Sequence, residues 1–389
     1  MARVLIGWEL GAGQGHIVKL KDVAAELKRR GHEVVVAVQQ TSAVPAGCEV
    51  WQAPLWPALL TARGRRSTAS PATFGDILVA LGLAETGVVS GLLRAWDGIL
   101  RAARPDLVVA EFAPSLLLAA AGRFPALAIG TGFGTPPAES TTFPSLTGKP
   151  AAHDERRLLD HVNRELDAVD RSALPALPAM LRADRTLTEV FRELDPYRGW
   201  RDAGDYSAPH IQGIPPMADG RGEELFFYFN GIAGFQKELF LGAVDSGLRI
   251  RMHDPRMSEA EIGELERAGI TFERKPVPFT KIVERSRLVV SHGGLGLTCT
   301  ALCAGLPHVI VPFDMEKRLT AAALVEAGLG ASMDHGVLKR DAVAALLNQV
   351  HADDALAARA RAAAPDFRAR AAKPSAIHVA DVVDVLARG

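Results

Sequence analysis

The sequence holds little cysteine, no charge excess of either sign, and no apolar run of membrane length. Cys48, Cys299 and Cys303 are its only cysteines, an odd, sparse set that argues against a disulfide framework. Cys299 and Cys303 read as small buried apolar side chains, because no further Cys or His stands at metal-ligand spacing. Lysine and arginine total 44 against 45 aspartates and glutamates, a net charge of −1. The broad positive field that draws nucleic acid or anionic lipid is therefore missing, so no nucleic-acid partner is expected. Arg63, Arg65 and Arg66 form a local cluster that reads as a solvated loop. The longest apolar region, residues 107–118, is broken by Glu111 and Pro114. It falls short of the roughly 20 residues of a spanning helix. The opening MARVLIGWELGAGQGH runs into glycines after a few apolar residues and does not read as a signal peptide. A soluble, cytoplasmic protein is expected. HExxH, Walker A, GxSxG, EF-hand and Asp-x-Asp patterns are all missing, so no metal site and no resident cofactor are expected.

What is present is ordinary globular material. The 389 residues are 48% hydrophobic and 23% charged, enough for two or three domains of roughly 100–200 residues each. Residues 3–7 predict a buried parallel strand, 18–28 a helix closed by Gly31, and 33–38 a second strand. Further along, 88–101 predicts a helix, and 106–112 and 126–130 strands. Strands alternating with helices imply a parallel sheet covered on both faces. Residues 131–150, rich in Thr, Ser, Pro and Gly, predict a long loop of functional or mobile kind. A helix is expected over 154–168 and a mixed segment up to 206.

The run PHIQGIPP at 209–216 reads as an interdomain linker. Beyond it the pattern resumes, with strands expected at 225–229, 249–252, 287–291 and 307–312. Helices are expected at 235–246, 259–268, 297–304 and 319–327. Two doubly wound domains facing each other are implied, with ligands at their strand C-terminal ends.

Chemistry concentrates at those ends. The loop GAGQGH at 11–16 joins the first strand to the first helix, where glycines permit close backbone approach. His16 at its mouth can take a proton from a hydroxyl, or simply cap its own helix. Glu111 ends another strand of the same sheet and can orient His16, unless it serves only as a loop carboxylate. The block SHGGLG at 291–296 offers His292 and successive amides at a helix start, a place for a diphosphate or else a tight structural turn. Asp314, Glu316, Lys317 and Arg318 follow the strand at 307–312. They are suited to sugar hydroxyls and anions or to a solvated helix start.

These residues resemble the UDP-glycosyltransferase superfamily, the family 1 glycosyltransferases of GT-B fold, in its bacterial natural-product type. The resemblance is carried by GAGQGH, AAELKRRGHEV, PDLVVAE and VVSHGGLGLTCTALCAGLPHVIVPF, with support from ELDPY and KPVPFTKIVERSRLVVSHGG. It implies an α/β fold of two facing Rossmann-like domains, an acceptor domain over 1–208 and a nucleotide-sugar domain over 209–373. Residues 374–389 would cross back onto the first domain as a helix. It implies an inverting, metal-independent sugar transfer from a nucleoside diphosphate donor, UDP or TDP, as co-substrate to a small lipophilic or aromatic acceptor. His16 matches the catalytic base and Glu111 the acid that orients it. His292, Gly293, Gly294 and Gly296 match the diphosphate site, and Val277, Pro278 and Phe279 the nucleobase wall. Trp8, Phe112 and Phe133 are placed near the acceptor by position.

Departures from the family pattern fall at the donor site. Leu297 stands where a Ser or Thr is usual, leaving Thr298 as the neighbouring hydroxyl, and Thr300 replaces a Glu. Glu316 and Lys317 stand for an Asp-Gln pair. Two alternatives accompany the main reading. One is a lipid glycosyltransferase for a sterol or polyprenyl acceptor, with the leucine-bearing segment 154–197 in peripheral contact with a membrane. The other is a non-catalytic GT-B partner protein. A monomer or homodimer fits either way.

Overall fold

The computed structural model describes residues 1–11, 14–41, 44, 47–60, 71–230, 236–334 and 338–388. The chain divides into two compact units. The first comprises Met1–Glu189, Tyr197–Ser207 and Ser375–Gly389, the second Val190–Pro196 and Ala208–Pro374.

The first unit is built on seven parallel strands: β1 (Arg3–Trp8), β2 (Glu33–Val38), β3 (Glu49–Gln52), β4 (Leu107–Glu111), β5 (Ala126–Gly130), β6 (Arg185–Glu189) and β7 (Tyr206–Ser207). Their spatial order is β3-β2-β1-β4-β5-β6-β7. Helices α1 (Gln14–Arg29), α2 (Pro57–Leu60), α3 (Phe74–Leu81), α4 (Val88–Ala103), α5 (Pro114–Ala120) and α6 (Glu155–Asp167) connect them. Side chains alternate across the pleat. Leu5, Val35, Val108 and Ala128 therefore face one core with α3 to α6. Val4, Ile6, Val36, Val109 and Ile129 face another with α1.

The second unit repeats the plan with six parallel strands: β8 (Glu224–Tyr228), β9 (Ile250–His253), β10 (Thr271–Phe272), β11 (Ser286–Ser291), β12 (His308–Ile310) and β13 (Gly330–Ser332), in the order β10-β9-β8-β11-β12-β13. Its helices are α7 (Lys237–Asp245), α8 (Glu259–Arg267), α9 (Phe279–Arg285), α10 (Leu295–Ala304), α11 (Met315–Glu326), α12 (Arg340–Ala352) and α13 (Asp354–Arg370). Val190–Pro196 joins this unit ahead of the expected linker: Phe191 packs on Phe367 at 4.8 Å, and Glu193 takes two hydrogen bonds from Arg370 at 2.9 and 3.0 Å.

The last helix, α14 (Ser375–Leu386), completes the first unit. Val379, Ala380 and Val383 enter the α1 core. Arg30 binds Asp381 and Asp384 at 2.8 and 2.7 Å, and His32 binds Asp384 at 2.9 Å. Among the described residues no helix is long and apolar enough to cross a membrane. Of the leucines at 154–197, Leu158, Leu166, Leu177 and Leu181 lie in the core of the first unit. The arginines at 63, 65 and 66 lie outside the described residues.

Candidate functional site

In each sheet the chain reverses its direction of winding between two neighbouring strands, and there the loops at their C-terminal ends diverge and open a crevice. In the first unit those strands are β1 and β4, where Trp8 stands in register with Glu111. The loop after β1 leads into α1, whose first turn carries His16. The two sequence-distant residues meet: His16 Nδ1 lies 2.7 Å from Glu111 Oε1. Gly11, at φ +84°, allows this approach, since a Cβ there would lie 2.5 Å from His16 Nε2. The Ala12 and Gly13 positions of the motif lie outside the described residues. Gln39 Nε2 donates to the Gly11 carbonyl at 2.5 Å, and Leu10 N donates to Phe112 O at 3.0 Å, tying the two loops together.

The imidazole is clamped between rings. Trp8 stacks on it at 5.2 Å and Phe112 at 6.4 Å. Trp8 is fully buried (0% exposed), its Nε1 donating to Leu10 O at 2.6 Å. It therefore supports His16 and cannot line an acceptor pocket, a correction to its expected place. Phe112 and Phe133 are half-buried and flank Phe74, at 5.9 and 6.4 Å, with Phe143 at 5.5 Å. This aromatic wall beside His16 includes Phe74 and Phe143, which sequence reading missed because each sits far from any motif. The loop at 131–150 is pinned at its far end, where Phe143 N donates to both Glu155 oxygens at 3.1 and 3.0 Å.

Behind Glu111 lies a charge that no motif signals. Lys19 Nζ is 2.5 Å from Glu111 Oε2 and 2.8 Å from Glu189 Oε2. All three side chains are at least 95% buried. Burial alone would push the Glu111 carboxyl up, but the Lys19 charge and the His16 hydrogen bond hold it below the usual carboxylate range. Burial likewise works against the Lys19 ammonium, and the Glu111 and Glu189 charges more than reverse it. Helical spacing places His16 and Lys19 on one face of α1. Glu189, ending β6 in the segment expected only as mixed structure, could not be seen.

In the second unit the corresponding strands are β8 and β11, with Tyr228 in register with Ser291. The chain turns through His292 and Gly293 into α10, which starts at Leu295 rather than at 297. Its first-turn N–H groups have no carbonyl partner within the helix. Gly296 in that turn is exposed, so no side chain bars their approach. Gly293, at φ +88°, has a different role from the one expected: its N–H already donates to Ser291 Oγ at 3.0 Å, so it shapes the turn. Thr298 is also corrected. It is fully buried (0% exposed), and its Oγ1 donates to Gly294 O at 3.1 Å, so its hydroxyl points back along the helix. Leu297, Val277, Phe279 and Tyr228 are half-buried against the small core that holds Phe226, Ile282 and Val289, while Pro278 caps α9.

His292 is buried beside Phe313 (5.6 Å) and Phe229 (6.4 Å), with no hydrogen bond to Nδ1. Burial, helped by the Lys317 charge, pushes its imidazole down to about 4. Lys317 stays cationic: Glu316 Oε2 lies 2.6 Å from Nζ and Asp314 Oδ2 3.6 Å, and these charges outweigh burial. His308, behind the turn, shares Ser291 Oγ at 2.8 Å and is pushed down to about 3 by burial and by His292.

Both rings are neutral in the folded chain at neutral pH, and the sign of the consequence follows. Between the ordinary histidine value of 6.5 and about 4, the unfolded chain binds protons that the folded chain refuses. Stability is thus fully present above that window and falls as pH drops through it. Urea unfolding of the protein should lose about 2–4 kcal/mol on this account between about pH 7 and about pH 5. His308→Gln should remove roughly half of that loss; an unchanged pH slope in the variant would show that His308 is not buried neutral.

Comparisons with known proteins agree with this architecture. Residues 268–386 match the model of the erythromycin biosynthesis protein CIII-like C-terminal domain. A stretch of 133 residues is 29% identical to the NDP-glycosyltransferase YjiC of Bacillus subtilis, covering 34% of each chain. Another of 84 residues is 36% identical to the O-mycaminosyltylonolide 6-deoxyallosyltransferase of Streptomyces fradiae, covering 21% of this chain and 20% of that one. The chain thus matches about a third of the first relative's length and a fifth of the second's. Among solved structures, CalG4, the calicheamicin glycosyltransferase, superposes with a TM-score of 0.74 at 20% identity over 99% of this chain and 98% of that one. The spinosyn rhamnosyltransferase SpnG complexed with thymidine diphosphate gives 0.64 at 20% identity over 99% of both. With its two parallel-sheet units the chain has the GT-B fold of these solved glycosyltransferases, and its residues 268–386 are similar to the CIII-like C-terminal domain.

Proposed function

We propose that this chain transfers a sugar, with inversion, from a nucleoside diphosphate donor, UDP- or TDP-linked, to a hydroxyl of a small lipophilic or aromatic acceptor. The observation that carries the reading is the 2.7 Å pair of His16 Nδ1 and ionised Glu111 in a crevice of the first sheet. With Nδ1 engaged, Nε2 is the basic position that takes the acceptor proton. The acceptor oxygen then bonds the anomeric carbon as the bond to the diphosphate breaks, and the electron pair leaves with the diphosphate. The first-turn amides of α10, with the neutral His292 ring as a hydrogen-bond donor, answer that developing charge without a metal. Lys317 adds a full positive charge nearby. Half-buried Phe112 and Phe133 offer apolar surface to the acceptor, and Val277, Pro278 and Phe279 a wall for the base. Relatives named for calicheamicin and for spinosyn, one of them solved with thymidine diphosphate, support a natural-product acceptor and a nucleotide-sugar donor.

Calorimetric titration with UDP, TDP and GDP, without added metal, tests the donor half. One of them is expected to bind and to lose about tenfold or more in affinity in His292→Ala, as loss of one hydrogen bond to a charged group would give. Binding of none would overturn the donor assignment and leave the partner-protein reading.

A further inference from the structure

Four ionisable side chains form one linked cluster, Lys19, Glu111 and Glu189 buried and His16 half-buried at its mouth, and the reaction proposed above uses only two of them. His16 and Lys19 come from α1, Glu111 from β4 and Glu189 from β6, linked in the order His16–Glu111–Lys19–Glu189 at 2.7, 2.5 and 2.8 Å. Two further elements face the cluster. Uncharged Trp8 and Phe112 cover the His16 ring. On β7, Ser207 is the register partner of Glu189 and bonds His378 of α14 at 2.7 Å. The remaining Glu189 oxygen is buried without a hydrogen bond.

A histidine paired with a lone buried carboxylate needs no lysine. Here Lys19 settles the carboxylate's protonation, because a desolvated Glu111 would otherwise drift toward its neutral acid and lose its attraction for the imidazolium. The lysine has a cost, since its charge cancels the field that Glu111 exerts on His16. Glu189 restores it. With His16 neutral, the cluster carries one net negative charge; with His16 protonated, it carries two charges of each sign and is neutral. Without Glu189, the protonated cluster would hold a net positive charge in a desolvated site, which is unfavourable.

We propose that Lys19 and Glu189 are positioning residues for the His16–Glu111 pair: Lys19 keeps Glu111 ionised and aimed at Nδ1, and Glu189 cancels the Lys19 charge so that His16 faces one net negative charge. The inference rests on the transferase reading for its effect on turnover, and on geometry alone for its effect on His16.

The test is NMR titration of the His16 ring in the full chain, followed by the pH profile of kcat where turnover is found. Glu189→Gln, which keeps shape and removes charge, should move the His16 titration to lower pH. It should also lower kcat by up to about tenfold on the pH-independent plateau and carry the acid limb of the profile to lower pH, with KM little changed, a small part of what general-base catalysis supplies. The charge-balanced double variant Lys19→Gln/Glu189→Gln should return the titration toward that of the wild type. His378→Gln should leave it in place. If Glu189→Gln fails to fold, the wild-type chain still decides: the Lys19 ¹⁵Nζ shift should follow the His16 titration. A flat Lys19 signal, or a His16 titration indifferent to Glu189→Gln, overturns the proposal. A His16 titration that responds as expected in a chain inactive with every donor tried supports the cluster and counts against the transferase reading.

Discussion

With a donor and acceptor that the chain turns over, His16→Ala lowers kcat by about 10²–10⁴-fold, the range general-base catalysis supplies. Nucleoside diphosphate affinity should hardly change, because the first-turn amides of α10 and His292 belong to the second unit and His16 to the first. The dissociation of the two readouts is the point. A variant that lost both would have lost its fold, and circular dichroism would detect it. A variant that kept its full kcat would remove His16 from the chemistry, whatever its distance from Glu111. The result is sharpened by the setting of the ring: Trp8 stacks behind it and Glu111 fixes Nδ1.

Gly293→Ala should weaken nucleoside diphosphate binding by more than tenfold and lower the thermal midpoint of the protein, two effects of one cause. Gly293 adopts φ +88°, where an L side chain is strained by about 1–3 kcal/mol. An added Cβ would also lie 2.6 Å from Ile310 Cγ2. Ile310 is fully buried on β12 and cannot swing aside. The turn must therefore shift, and with it the Ser291 hydrogen bond and the head of α10 where the diphosphate is to be met. Calorimetric titration and a thermal melt check both halves. Wild-type affinity in a folded Gly293→Ala would mean that the turn is not part of the donor site. Gly296→Ala separates the two halves: the nearest atom to its Cβ lies 3.6 Å away, so the thermal midpoint should hold, while the methyl group would stand over the exposed first-turn amides and weaken binding.

Local signals in the chain were enough to reveal the alternation of strands and helices, the His16 loop, the strand ending in Glu111 and the His-Gly-Gly turn. Period-2 and period-3.6 patterns survive folding because each records which face of an element is buried. Segments whose burial depends on distant partners stayed hidden. β6 and β7 are short strands toward one edge of the sheet, read only as mixed structure, and the aromatic wall of Phe74 and Phe143 stands apart from every motif. Buried Glu9 is another case. It accepts hydrogen bonds from Trp56 and Trp96 at 2.9 and 2.8 Å and from Leu116 N at 2.7 Å, anchoring the start of α5 just beyond Phe112. Three of its partners stand 47 or more positions away, beyond any window of sequence pattern.

The division has a physical reason. By itself the sequence determined which residue types stand at the ends of which strands, because covalent order and hydrophobic period are local properties. Only the tertiary structure decided how those ends are used. It turned Trp8 inward as a support, engaged the Thr298 hydroxyl and the Gly293 amide within the turn, and brought Lys19 and Glu189 together across 170 positions. Charges and hydrogen bonds act through space, and their partners are assigned only when the sheet order β1-β4-β5-β6 sets those strands side by side.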